Sequence, residues 1–265
     1  MRPQRSASAP NAVASLSAFF ALVFALSTPF WIVGAATAAE LLPGLPVSAL
    51  QGIVPLVAAA LLVWRAGGTA GVTRLMRRCA DFTRIRRKRW YLPVLLLAPA
   101  MTVVTYCVMR AIGLPLPTPR FALTTVPAML LAFLGFALAE ELGWSAYATD
   151  AMRARWGVPR TGILLGLVWA AWHLVPLVQA QRTTSWIAGW CLGTVANRVI
   201  IVWLYTGTGR SAFAAALYHT MLNLSWQLFP NRGSHYDPRV SGAVTAAMAS
   251  TVVVAWTLRA RAARA

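Results

Sequence analysis

Runs of about 18 to 25 apolar residues, the length that crosses roughly 30 Å of hydrocarbon as a helix, recur along this chain and leave it few ways to fold. Cutting the sequence at its charges and Pro/Gly clusters predicts eight of them: about 13–39, 46–64, 91–113, 123–143, 161–179, 185–205, 211–229 and 240–258. An unpaired backbone amide in lipid costs several kcal/mol, so each run is expected to be helical. Charged residues make up only 11% of the chain, against roughly 25% in soluble domains. The expected fold is an all-α, polytopic membrane helix bundle of about eight transmembrane helices. One domain is expected over 13–258, between a disordered cytoplasmic tail at 1–12 and a basic C-terminal tail at 259–265. The first run ends in Ala36, Thr37 and Ala38, which resemble a signal-cleavage site, but it is too long for a signal and reads as a span.

The net charge of +18 invites a nucleic-acid reading, but its distribution points elsewhere. Nine basic residues fall within 65–89, three within 153–160 and three at the C-terminus. With Arg2, Arg5 and Arg210 they place eighteen cations on one side of an eight-span layout and leave five on the other, namely Arg110, Arg120, Arg182, Arg232 and Arg239. The positive-inside rule then puts both termini in the cytoplasm, with the protein in the plasma membrane and the lipid bilayer as its surroundings. The nine cations of 65–89 enclose a single aromatic residue, Phe82, and lack the repeated interleaving of a nucleic-acid surface, so nucleic acid is not an expected partner. Cys79, Cys107 and Cys191 lie in a loop and two different spans, and show neither zinc spacing nor a disulfide framework.

Acidic residues are scarce, and two of the six are adjacent. Glu140 and Glu141 close the apolar run 126–143, and the stretch from Trp144 to Trp156 reads as an interfacial helix that Gly157 and Pro159 terminate. A carboxylate inside hydrocarbon is costly unless it faces a protein interior or a wet cavity, so such a residue marks function. Two other spans carry hydrogen-bonding groups that reach the same half of the bilayer. His173 lies about 18 Å along its span at 1.5 Å per residue, and His219 about 12 Å along another. His219 and Asn223 share one helix face at i, i+4. Glu140 and Glu141 point about 100° apart, so one is a candidate reactive group and the other a support. His235, beside Asp237 and Pro238, reads as a turn residue. Pro176 is expected to kink its span, and Trp172 and Trp226 are candidates to line a pocket.

These residues carry a resemblance. EELGW at 140–144, WAAWH at 169–173 and HTMLN at 219–223 resemble the three motifs of the CPBP family (CAAX proteases and bacteriocin-processing enzymes, also called Abi), EExxxR, FxxxH and HxxxN. The likeness covers about 123–229. It implies an intramembrane endopeptidase acting near the cytoplasmic membrane face on a peptide or protein substrate. It further implies Glu140 as general base for a water that His173 also holds, His219 and Asn223 as the oxyanion pocket, and Glu141 as a supporting acid. The family has been called a metalloprotease, and Glu140, His173 and His219 form a zinc-like set. The sequence has no HExxH pair, and the resemblance favours a metal-free glutamate mechanism with no cofactor, zinc being the alternative.

Two departures stand out. The motif arginine is replaced by Ser145, and the cation expected to reach Glu141 instead is Arg198, the one basic residue deep within a span and itself in need of a partner. Trp169 stands where phenylalanine is usual. The other readings are a catalytically inactive scaffold or bacteriocin-immunity protein that keeps the fold, and a proton-coupled transporter.

Overall fold

The computed structural model describes residues 9–37, 39–42 and 45–262, and the expectations for 1–8 and 263–265 lie outside these. The described chain is built of α1 (Ala9–Thr37), α2 (Val54–Met76), α3 (Tyr91–Ala111), α4 (Val126–Glu141), α5 (Asp150–Gln179), α6 (Thr184–Gly207), α7 (Ala212–Leu228) and α8 (Pro238–Ala262). α1 begins inside the expected N-terminal tail, and α8 extends into the expected C-terminal one. Between α1 and α2 the strands Glu40–Leu42 and Leu45–Pro46 pair antiparallel.

The helical-bundle class holds, but the count of spans does not resolve to eight. Among the described residues, six helical stretches are long and apolar enough to cross a membrane. The difference has two physical causes. The 57-residue stretch 123–179 counts once although it holds two helices that meet at a kink, and α7 has only 17 residues. The long stretch turns at Gly157, whose φ of 73° and ψ of 176° are open to glycine and strained for other residues.

The stretch after Glu141 differs from the expected interfacial helix. Leu142–Thr149 continues α4 as a π-helical segment, and Trp144, Ser145, Ala148 and Thr149 in it are fully buried. The Thr149 hydroxyl donates to the carbonyl of Trp144, five residues back, at 2.8 Å, which suits the wider turn. Trp144 packs edge-on against Phe19 of α1 and Trp172 of α5, with ring centroids 5.6 and 5.5 Å away. The two glutamates therefore sit in the interior of a continuous helix rather than at its end.

Helix contacts rely on small residues, as expected where lipid is as apolar as the protein core and close backbone approach supplies the attraction. A Cβ at Gly162 would lie 2.7 Å from the Cα of Val199, and one at Gly166 would lie 2.8 Å from that of Val195. This i, i+4 pair seats α5 on α6 and brings Arg198 beneath Trp169. Large apolar side chains such as Leu92, Leu96 and Val103 of α3 face outward, as lipid contact requires. At the Arg-rich end, buried Asp81 accepts from Ser211 Oγ at 2.8 Å and from the backbone N–H groups of Ala212 and Phe213 at 3.2 and 3.1 Å. It thereby caps α7 and ties the basic loop to the helix that carries His219. Trp90, at the end of that loop, packs against Trp203, 5.0 Å between centroids.

Candidate active site

The adjacent glutamates diverge. Glu141 is fully buried and surrounded by donors: Arg198 Nη1 lies 3.0 Å from Oε1 and 2.8 Å from Oε2, and Nδ1 of His219 lies 3.0 Å from Oε1. The Ser145 hydroxyl, one turn on, donates to Oε2. A carboxylate paired with a guanidinium is ionised and can only accept, so His219 carries its proton on Nδ1 and turns Nε2 away from Glu141. Nε and Nη2 of Arg198 are buried without a hydrogen-bond partner among the described residues. Its guanidinium carbon instead lies 4.0 Å from the centroid of the Trp169 ring, a cation–π contact.

Glu140 faces the other way, into a cavity of about 480 Å³. The indole N–H of Trp169 donates to its Oε2 at 2.9 Å. Trp169 is thus the hub of the site, with its N–H on one glutamate, its face on the partner of the other, and its ring 5.5 and 5.2 Å from the imidazoles of His173 and His219. His173 Nδ1 lies 2.8 Å from the carbonyl oxygen of Trp169. That oxygen can only accept, so Nδ1 bears the proton and Nε2 keeps a free lone pair. Glu140 is near enough to His173 to interact with it electrostatically. Asn223, one turn beyond His219, lines the same cavity, as do Trp172, Pro176 and Trp226. α5 keeps helical angles through Pro176, with Gly157 as its one non-helical position.

Glu140, His173, His219, Asn223 and Trp169 are therefore brought to one hollow, while Glu141, Ser145 and Arg198 form a buried cluster directly behind it. Among the described residues no group of three or more His, Cys, Asp or Glu side chains is arranged to hold a metal ion, the set Glu140, His173 and His219 included. His235 stays in the loop after α7, where its Nδ1 lies 3.2 Å from Ser234 Oγ.

Several contributors carried no sequence signal. Gly52 abuts Glu140, and a Cβ there would lie 3.5 Å from Oε1. Ser27, a hydroxyl in the middle of α1, accepts from the indole of Trp172 at 2.7 Å. Asn197 lines the cavity and accepts from Tyr218 Oη at 3.0 Å. Of these only Asn197 was detectable in principle, as an amide inside an apolar span.

The hollow also opens differently from the expected site near the basic face. Its walls come from the halves of α5, α6 and α7 that lie farthest from the Arg-rich loop and from Ala132, Phe133, Phe136 and Glu140 of α4, and its mouth includes Leu41, Pro46, Arg182 and Ser234. Glu140 and His219 form its floor.

Residues 122–225, which hold every one of these motif residues, match the family model described as type II CAAX prenyl endopeptidase Rce1-like. The match is consistent with the resemblance of the three motifs to the CPBP family. A similar curated protein is CAAX prenyl protease 2 of Methanococcus maripaludis, 29% identical over 117 residues, which make up 41% of this chain and 42% of that protein. The chain thus matches less than half the length of that relative. The matched segment runs from the start of α4 into α7, so α1 to α3 and α8 lie outside the match. The chain is a multi-pass membrane protein by its six apolar helical stretches.

Proposed function

We propose that this protein is an intramembrane endopeptidase in which Glu140 activates a water for attack on a peptide carbonyl. The observation that carries the reading is the joint presentation of the Glu140 carboxylate and the protonless Nε2 of His173 to one cavity. A water between them gives one hydrogen to each acceptor and leaves an oxygen lone pair for the carbonyl carbon. Glu140 takes the proton as the carbon–oxygen bond forms, then delivers it to the departing amine as the carbon–nitrogen bond breaks.

The tetrahedral intermediate places negative charge on the former carbonyl oxygen. The amide NH2 of Asn223 is one donor for it. His219 is the second only as an imidazolium, because its Nδ1–H is already engaged by Glu141 and a neutral ring has no other proton. The ionised Glu141 stabilises that cation. Each well-placed donor contributes about 3 kcal/mol to such a transition state. The Rce1-like match and the name of the archaeal relative support the hydrolase class.

Ser145 in place of the motif arginine does not favour the inactive-scaffold reading, because Arg198 supplies the missing cation to Glu141 from another helix. Purified protein in detergent, incubated with a peptide panel, tests the proposal. Cleavage abolished in Glu140→Gln and unaffected by chelator is the expected result; cleavage that persists in Glu140→Gln refutes Glu140 as base, and loss to chelator alone selects a metal mechanism.

A further inference from the structure

We propose that this protein carries a site for one anionic phospholipid where α2 folds back on itself, with an acyl chain in an apolar groove and the phosphate held by Arg65 and Arg74. None of the residues that line this groove lines the catalytic hollow, and the site does not depend on the endopeptidase reading.

The groove follows from the glycine pair in α2. Gly67 and Gly68 interrupt the helix with φ, ψ of −151°, 17° and 57°, −152°, and the second of these is a conformation that side chains resist. The chain then turns back, and Gly71 lies so close to the span that a Cβ there would be 2.4 Å from the carbonyl oxygen of Val63. Leu56, Val57, Leu61 and Trp64 of the first half thereby face Val72 and Met76 of the second across a cavity of about 540 Å³. From Leu56 to Trp64 it follows the helix for about 12 Å, at 1.5 Å per residue. Val57, Leu61, Trp64 and Met76 are exposed, so the groove is open on its outer side.

Charge selects the occupant. The nine cations of 65–89 share that segment with one acid, Asp81, which is buried, caps α7 and pairs with Arg78 and Arg84. Arg65 and Arg74 are exposed and, among the described residues, have no carboxylate partner. Both stand at the kink: Nη2 of Arg74 lies 3.0 Å from the position a Cβ would take on Gly67, two residues beyond Arg65. Trp64, beside Arg65, closes that end of the groove with a ring that favours the headgroup level. Any phospholipid brings an acyl chain to such a groove. The guanidiniums add a preference for a phosphate whose charge no headgroup amine cancels, as basic pockets between membrane helices do for anionic lipids, and their N–H groups match the phosphate oxygens in parallel hydrogen bonds.

Thermal unfolding of the purified protein in nonionic detergent tests this, with dioleoyl phosphatidylglycerol, dioleoyl phosphatidylcholine and soluble glycerol phosphate as probes. Phosphatidylglycerol is expected to raise Tm saturably, and the other two to leave it unchanged. Replacing both arginines, Arg65→Gln with Arg74→Gln, is expected to weaken the phosphatidylglycerol midpoint roughly 25-fold, about fivefold for each cation lost. The pair Arg86→Gln with Arg89→Gln, an equal change of charge away from the groove, is expected to leave the midpoint in place. Val72→Phe fills the groove without altering charge and is expected to abolish the response; Ala60→Phe does the same from the other wall if Val72→Phe does not fold. No rise with phosphatidylglycerol, an equal rise with phosphatidylcholine, a rise with glycerol phosphate, equal weakening in the two double variants, or a response that survives the filled groove each overturns the proposal. Light scattering adds the last outcome: a wild-type dimer that the filled groove makes monomeric assigns the groove to a second copy of the chain and overturns the lipid site.

Discussion

Arg198 Nη1 reaches both carboxylate oxygens of Glu141, at 3.0 and 2.8 Å, across 57 residues of sequence and from a different helix. Both side chains are fully buried. The motif pattern has an arginine four residues after Glu141; Ser145 stands there in this chain, and the cation that pairs with Glu141 comes from α6. The pair's position between α4 and α6 makes it the joint that holds Glu141 against His219, and through Trp169 it connects to Glu140.

Removing one partner of this pair strands the other charge in a dry interior. Arg198→Met or Glu141→Leu alone is expected to cost about 3–5 kcal/mol, whereas the double replacement is expected to recover most of that loss. Thermal unfolding of the detergent-solubilised variants measures it. Single variants with wild-type stability would show that the pair is not what holds these helices.

Restoring the family arginine at position 145 should harm this chain. Ser145→Arg would place a second guanidinium beside Arg198 in a fully buried site, so the variant is expected to be less stable than Ser145→Ala, which loses only a hydrogen bond to a charged group worth about 1.5–3 kcal/mol. Ser145→Arg combined with Arg198→Met is expected to be more stable than Ser145→Arg alone. Equal stability of the two would refute the idea that Arg198 substitutes for the motif residue.

Trp169→Phe keeps an aromatic wall and deletes the indole N–H that holds Glu140. A lost hydrogen bond to a charged group is worth about 1.5–3 kcal/mol, so kcat is expected to fall roughly 10- to 100-fold with KM little changed. A KM effect alone in steady-state kinetics would assign Trp169 to substrate binding instead.

Asp81 is expected to matter for stability at a distance from the chemistry. Asp81→Ala removes the acceptor for Ser211 Oγ and for the Ala212 and Phe213 amides, and breaks the 2.7 Å contact with Arg78 Nε. Loss of a helix cap costs about 1–2 kcal/mol, so the variant should unfold at lower temperature and be nicked faster by trypsin in the loop 84–89. Unchanged proteolysis would mean that the basic loop is anchored by other contacts.

Much of this protein was decided by residue order alone. Apolar runs of bilayer length made it a helical membrane protein, and glutamates, histidines and an amide at set spacings marked the residues that meet at the hollow. Lone charges in apolar spans have so few ways to be neutralised that Arg198 and Glu141 were a plausible pair before any coordinates. What tertiary structure alone decided was direction. Hydrophobicity reports that a residue avoids water, but lipid and protein interior are alike in that respect, so it cannot say which helix face meets which. The π-helical continuation past Glu141, the approach of Gly52 to Glu140 and the bond from Trp169 to Glu140 all depend on how α2, α4 and α5 rotate against one another. The same packing closes the hollow beneath the basic loop and opens it at the far end, an outcome set by shape that no spacing of residues along the chain encodes.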